Sequence, residues 1–148
     1  MKQQTVPAMV YEAMRSQYGI PKVIRITSPS DALQHKKVVE LSKKQVENFC
    51  IITLNGAAEI IRFHTITVGL LNNSLVHPRE VFRIAIKDNA LAIICLHNHP
   101  SGNLVPSSQD IQVTKQLSDS GSIIGIPVID HIIVAKSGIS SMKESGYL

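Results

Sequence analysis

Several residue types are scarce in this chain of 148 residues, which has no tryptophan, three tyrosines, three phenylalanines and two cysteines. So few aromatic side chains argue against an interleaved stacking platform for single-stranded nucleic acid. Cys50 and Cys95 lie in separate apolar stretches without the paired spacing of metal-binding cysteines. We therefore expect two buried free thiols and no disulfide. Alternation along a strand places Cys95 on the same face as His97, but a small apolar thiol is commonly a core residue.

Long apolar runs are also missing, since no stretch approaches the length of about eighteen apolar residues that a membrane span needs. Residues 1–7 lack the apolar core of a signal peptide, which predicts a cytoplasmic protein with no membrane partner. The contents of 44% apolar and 18% charged residues are typical of a globular protein with a well-filled core. The net charge of +4 is scattered along the chain, so it gives only weak support for contact with DNA.

The periodicity of apolar residues changes near residue 45. Before it, helical spacing predicts one helix from Pro7 to near Gly19 and a second from the capping residues 28–31 through Leu41. After it, strands and helices alternate over residues 46–148. We expect strands over 46–54, 59–68, 91–96, 128–135 and 139–142, a tight Asn55-Gly56 turn, a turn-rich segment over 69–74, and helices over 78–88 and 107–120. The pattern predicts an N-terminal helical extension over 1–45 and a single α/β domain over 46–148, with a mixed central β-sheet flanked by helices.

The most informative stretch, LHNHPSGNLVPSSQD, runs from Leu96 to Asp110. His97 and His99 stand two residues apart at the end of a buried strand, so their side chains should project to the same side. A turn rich in proline and glycine then reverses the chain and brings Asp110 back toward them. Two imidazoles and one carboxylate are a suitable set of three ligands for Zn²⁺, with the fourth position open to water. This pattern predicts a catalytic metal site rather than a closed structural one.

Other roles for the same residues stay open from the sequence alone. Ser107 and Asp110 also fit a helix capping box, in which the hydroxyl accepts from a backbone N–H and the acid reaches back. A zinc hydrolase usually needs a carboxylate to accept the proton of the attacking water. Glu47 and Glu80 are both candidates, and spacing does not choose between them. The pair Asp130-His131 suits either the orientation of a metal ligand or a structural role.

The arrangement His97-x-His99-Pro100, with seven residues between His99 and the following Ser107-x-x-Asp110, resembles the JAMM (MPN) metallopeptidase motif. The further segments VHPREVF at 76–82, HNHPSG at 97–102 and DHII at 130–133 are similar to the RadC branch of that superfamily, whose members are known as DNA repair proteins. The likeness covers roughly residues 46–148. It implies the cytidine-deaminase-like α/β fold of JAMM domains.

The resemblance also implies roles for particular residues. Zinc would be bound by His97, His99 and Asp110. Ser107 would polarise the substrate carbonyl or stabilise the oxyanion. Glu47 matches the catalytic glutamate that precedes the first core strand in the family, so we prefer it to Glu80 as the base. The implied function is a zinc-dependent hydrolase for a peptide or isopeptide bond, in which the glutamate takes a proton from water and gives it to the departing amine.

An alternative function is a non-catalytic, nucleic-acid-associated module of the RadC family with a structural metal site. Longer RadC proteins carry an N-terminal helix-hairpin-helix region associated with DNA contact, and no Gly-centred hairpin of that kind is found between Met1 and Lys44. DNA is therefore a weaker expectation than a peptide or isopeptide substrate. The apolar N-terminal helix and the edge of the hairpin are candidate contact surfaces for a homo-oligomer.

Overall fold

The computed structural model of the chain describes residues 8–19, 22–69 and 76–148. Two of the sequence predictions lie outside the described residues. They are the absence of a signal-peptide core in residues 1–7 and the turn-rich segment 69–74, of which only residue 69 is described. Within the described ranges, no helix has both the length and the apolar character needed to cross a membrane.

Five strands form one sheet: β1 (Asn48–Leu54), β2 (Ile60–Val68), β3 (Ala92–Asn98), β4 (Val128–Ala135) and β5 (Gly138–Ser141). Their order across the sheet is β2-β1-β3-β4-β5, with β3 and β4 parallel and the other neighbours antiparallel. The helices are α1 (Ala8–Tyr18), α2 (Lys36–Leu41), α3 (Pro78–Lys87) and α4 (Ser108–Ile124), with a 3-10 helix over Pro29–Gln34. The predicted α/β class, a mixed central sheet flanked by helices, is confirmed.

The central strands β1, β3 and β4 are buried along almost their whole length. One core, which includes Phe82 and Leu117, lies between the sheet and helices α3 and α4. The other core lies on the opposite face, where Val38 and Leu41 of α2 are buried. Coverage on both faces explains why these strands are continuous apolar runs instead of alternating ones. Both cysteines are buried free thiols, as predicted, and burial raises the pKa of Cys50 to about 11.

The segment before the sheet differs from its prediction. The second helix is interrupted at His35, whose extended backbone separates the 3-10 helix from α2. The Asp31 carboxylate accepts hydrogen bonds from the backbone N–H groups of Thr27 and Ser28. Such local side-chain bonding favours a short capped turn over a continuous helix. The domain boundary at residue 45 stays a prediction.

The hairpin of β1 and β2 is confirmed, but its turn is longer than the expected Asn-Gly turn and spans residues 55–59. The Asn55 side-chain oxygen accepts from the N–H groups of Ala57 and Glu59, at 2.9 and 3.0 Å. The left-handed conformation falls on Ala58, with a φ of 57°. The asparagine side chain thus organises a wider loop, because its hydrogen bonds add to the backbone bond from the Ala58 N–H to the Asn55 carbonyl at 3.0 Å.

Asp88 ties the end of α3 to the β1–β2 hairpin. Its carboxylate, only 2% exposed, contacts His64 Nε2 at 2.6 Å and an Arg62 nitrogen at 2.9 Å, and accepts from the Thr53 hydroxyl at 2.8 Å. Burial alone would raise the pKa of Asp88, but the hydrogen bonds from His64, Thr53 and Arg62 and the charge of His64 bring it below its ordinary value. The ionised carboxylate therefore stabilises the folded state.

We expect Asp88→Asn to reduce the free energy of unfolding near pH 7 by about 1.5–3 kcal/mol, the usual contribution of hydrogen bonds to a charged group. Because the folded pKa lies below the unfolded value of about 3.9, this stabilisation is complete above that value and is lost as the pH falls through the folded pKa. Urea unfolding at several pH values measures both effects. The difference between the two proteins should shrink in acid, and equal stability near pH 7 would contradict the prediction.

Candidate metal centre

The two histidines of the motif lie at the carboxyl end of β3, in the middle of the sheet. His97 is fully buried, and its backbone is paired with Phe49 of β1 on one side and Ile133 of β4 on the other. The backbone N–H of His99 donates to the Val134 carbonyl at 3.0 Å, which continues the pairing with β4 beyond the strand. The Nε2 atoms of the two rings lie 2.8 Å apart. Neighbouring strands on both sides therefore hold the two imidazoles in a fixed, convergent arrangement.

Helix α4 brings a carboxylate to the same point. Asp110 lies in the first turn of α4, with Oδ1 3.2 Å from His97 Nε2 and Oδ2 3.4 Å from His99 Nε2. The capping box is also present, since the Ser107 N–H donates to Asp110 Oδ2 at 2.7 Å and the Asp110 N–H donates to Ser107 Oγ at 3.1 Å. The cap is compatible with the prediction that Asp110 is a metal ligand, because a carboxylate has enough lone pairs for both.

The geometry of the three side chains fits a metal ion. One ligand atom from each of His97, His99 and Asp110 lies within 4.8 Å of the others. A tetrahedral zinc ion with bonds of about 2.0–2.1 Å would separate its ligand atoms by about 3.3 Å. His97 Nε2 lies 2.8 Å from His99 Nε2 and 3.2 Å from Asp110 Oδ1, and His99 Nε2 lies 3.4 Å from the other carboxylate oxygen, Oδ2. His99 Nδ1 lies 2.6 Å from the Asn103 carbonyl oxygen, to which it must donate. When the His99 ring is neutral, its unprotonated Nε2 then faces His97 and Asp110, as a metal ligand requires.

The electrostatics keep Asp110 in the form that binds metal. Burial would raise the pKa of this carboxyl, but its contacts with the His97 and His99 rings and with the Ser107 N–H hold the pKa far below its ordinary range. The carboxylate is therefore ionised at neutral pH and can balance part of the charge of a cation.

Glu47 lies at the same end of the sheet, immediately before β1. The N–H of the next residue, Asn48, donates to the Asn98 side chain at 2.8 Å. Asn98 stands between the two histidines in the sequence, and strand alternation turns its side chain to the opposite face. It thereby attaches the segment before β1 to the end of β3.

The hydrogen bond with Asp110 is the main cause that raises the pKa of His99, and the charge of Glu47 contributes in the same direction.

Glu80, the other candidate base, lies in the first turn of α3 at the surface. Its carboxylate contacts Arg83 at 3.1 Å and Arg79 at 3.7 Å, and all three side chains are largely exposed. His77 precedes it as the cap of the helix, where Nδ1 accepts from the Arg79 N–H at 3.1 Å. An acidic residue in this position suits the helix dipole and a surface ion pair.

Two buried residues outside the metallopeptidase motif complete the surroundings of His97. His131 Nε2 lies 2.8 Å from His97 Nδ1, and His131 Nδ1 lies 2.6 Å from the Thr114 hydroxyl. Burial holds the pKa of His131 well below its ordinary value. The sequence left the role of His131 open and did not single out Thr114. Thr114 follows Asp110 by four residues, and helical spacing would have placed both on one face of α4.

Asp130 and His131 are adjacent in β4, so their side chains point to opposite faces of the sheet. Ile93 pairs with Val128 while Ile94 pairs with Asp130, so β4 contains one extra residue at this point. Such a bulge changes the face to which the following side chains point. The Asp130 carboxylate accepts hydrogen bonds from the Ser141 hydroxyl and from the backbone of its own strand. Only His131 of the pair therefore contacts a candidate metal ligand.

Comparison with known proteins gives a consistent result. Residues 26–147 match the family model of the RadC-like JAB domain. A UPF0758 protein of Methanospirillum hungatei is 54% identical over 138 residues, which cover 91% of this chain and 61% of that protein. A UPF0758 protein of Listeria innocua is 48% identical over 126 residues, which cover 85% of this chain and 56% of that protein. The chain thus spans a little more than half the length of these relatives.

Proposed function

Because this chain belongs to the RadC-like JAB domain family, we propose that it is a zinc-dependent hydrolase that cleaves a peptide or isopeptide bond. The observation that carries the proposal is the convergence of His97, His99 and Asp110, whose ligand atoms lie within 4.8 Å of one another. Three protein ligands leave one position of a tetrahedral ion open to water, which is the ligand count of a catalytic zinc site.

When bound, the metal ion supplies Lewis acidity, which lowers the pKa of water from about 16 to about 7. Glu47 is the general base and accepts one proton of the attacking water. The water oxygen bonds to the carbonyl carbon, the C–N bond breaks, and Glu47 returns the proton to the departing amine. Glu47 thus regains its ionised form at the end of each cycle.

Ser107 stabilises the negative charge that develops on the substrate oxygen. Its Oγ accepts the Asp110 N–H at 3.1 Å, which orients the side chain at the start of α4. The hydroxyl proton can then be donated to the carbonyl oxygen. The capping geometry supports this role, because it fixes the hydroxyl at the start of the helix that carries Asp110.

The different surroundings of the two glutamates support Glu47 as the base. The charge of Glu47 acts on His99, while Glu80 is engaged by Arg83 and Arg79 on the exposed side of α3. A base must come within hydrogen-bond reach of the water, directly or through one further water. Glu47 immediately precedes β1, at the end of the sheet where the two histidines lie, and this position supports its role as the base.

The experiment begins with protein purified without a metal-affinity tag. Elemental analysis should find one zinc ion per chain. A panel of linear peptides and of peptides branched through a lysine side chain should include a substrate whose cleavage stops on chelation and returns with added zinc. A zinc-loaded protein that cleaves none of them would refute the hydrolase function. Salt-dependent binding of DNA by that inactive protein would then favour a nucleic-acid-associated module.

A further inference from the structure

A buried series of contacts joins one candidate ligand to the backbone of another. It runs from His97 Nδ1 to His131 Nε2 at 2.8 Å, from His131 Nδ1 to Thr114 Oγ at 2.6 Å, and from Thr114 Oγ to the Asp110 carbonyl oxygen at 2.6 Å. The exposure of all four residues is 2% or less. These groups must therefore satisfy their hydrogen bonds with protein atoms, because water does not reach them.

The direction of these bonds follows from the groups at the end of the series. A carbonyl oxygen carries no proton, so the 2.6 Å contact with Asp110 needs the single hydroxyl proton of Thr114. Met142 Sδ, at 3.4 Å from the same hydroxyl, is a weaker acceptor. Because the Thr114 hydroxyl donates its proton to the Asp110 carbonyl, its oxygen must accept a hydrogen bond from His131. His131 therefore carries a proton on Nδ1.

The same reasoning extends to His97. The His131 ring is fully buried, and its two nitrogens contact a histidine and a threonine rather than a carboxylate. A charged imidazolium in that position would be strongly disfavoured, so the ring is neutral and carries one proton. Its Nε2 is then an acceptor. His97 Nδ1 must donate to it, and His97 Nε2 is left unprotonated on the side of Asp110 and His99.

We propose that Thr114 and His131 are positioning residues that hold His97 in the tautomer with a protonated Nδ1 and a free Nε2, ready to bind the metal ion. This inference rests on the proposed function, which makes His97 a zinc ligand. The His99 ring is oriented differently, since its Nδ1 donates directly to the Asn103 carbonyl. The Nδ1 atoms of the two histidines thus have different partners, and that of His97 alone contacts the series formed by His131 and Thr114.

Thr114→Val and Thr114→Ser form a matched pair that tests the proposal. Valine has nearly the shape of threonine but no hydroxyl, while serine keeps the hydroxyl and removes only a methyl group. Nitrogen-15 NMR of the histidine rings in metal-free protein reports which ring nitrogen carries the proton. In wild type and Thr114→Ser, His97 should have its proton on Nδ1. In Thr114→Val, we expect a substantial population with the proton on Nε2.

Zinc affinity, measured by competition with a chromophoric chelator, is the second measurement. Thr114→Val should bind zinc about 10- to 100-fold more weakly than wild type, the loss that is typical when a partner of a metal-binding histidine is removed. Thr114→Ser should stay close to wild type. A general loss of stability would not move the tautomer of one ring. Thermal unfolding of the metal-free variants separates that effect from a change at His97.

The possible outcomes are distinct. Metal-free wild type with the His97 proton on Nε2 would overturn the proposal, whether or not any variant folds. So would a folded Thr114→Val protein with the wild-type tautomer and the wild-type zinc affinity. Wild-type protein that binds no zinc would refute the metal-dependent function and the role of the tautomer in it, even if NMR still found the proton on Nδ1.

Discussion

The Glu47→Gln protein is expected to hydrolyse its substrate about 10²- to 10⁴-fold more slowly than wild type, the usual contribution of a general acid–base group. Glutamine has almost the same shape as glutamate, but its amide does not accept a proton at neutral pH. Since Glu47 is not in the group of three candidate ligands, the zinc content should not change. The loss should fall on kcat, because the base acts in the transition state and not in substrate binding.

Glu80→Gln is the matched control, because it makes the same chemical change in the first turn of α3. Glu80 forms ion pairs with the exposed side chains of Arg79 and Arg83, and pairs of that kind contribute about 0–1 kcal/mol to stability. This protein should keep nearly the full kcat. The reverse result, with an inactive Glu80→Gln and an active Glu47→Gln, would overturn the choice of base.

The Asp110→Asn protein is expected to lose zinc binding. The neutral amide cannot balance the charge of the cation. The zinc affinity should therefore fall by more than the roughly 10- to 100-fold that is typical when a residue hydrogen-bonded to a metal ligand is removed. Asparagine keeps one side-chain oxygen, which can still accept the Ser107 N–H that Asp110 Oδ2 accepts in the wild type. The start of α4 should therefore remain capped.

Zinc titration followed by thermal unfolding measures this effect. At free zinc of about 100 times the dissociation constant, wild type should gain about 2.7 kcal/mol of stability from the bound ion. Asp110→Asn should gain almost none. Asp119→Asn, the same change at an exposed position of α4, is the control and should respond like wild type. Equal stabilisation of Asp110→Asn and wild type by zinc would contradict the proposed ligand set.

Much of the candidate metal centre follows from local spacing. The side chains of a strand alternate, so His97 and His99 were expected on one side of β3, and their Nε2 atoms are 2.8 Å apart. The capping pattern predicted that Asp110 begins a helix, and α4 does begin after Ser107. The local pattern was less informative where side chains form hydrogen bonds with the backbone. Near Asp31 the expected second helix is interrupted, and at Asn55 the hairpin turn is longer than expected.

The strand order of the sheet was beyond what periodicity could determine. Asn48, the residue after Glu47, is far from Asn98 in the chain, and the two are hydrogen-bonded because β1 pairs with β3 in the sheet. One extra residue in β4, before Asp130, decides which of Asp130 and His131 faces the candidate metal centre, because an uninterrupted alternation would have turned each side chain to the other face. The contact of His131 with His97 therefore depends on register as well as on the parallel pairing of β3 and β4.

The sequence by itself determined the α/β class, the free buried cysteines and the set of His97, His99 and Asp110, because each depends on composition or on spacing within one segment. The tertiary structure decided which residues surround that set. It brought Glu47 to the end of β3 and placed His131 and Thr114 behind His97. The physical reason is that a strand or a helix forms from local periodicity, whereas contacts between distant segments depend on strand order, register and packing across the core.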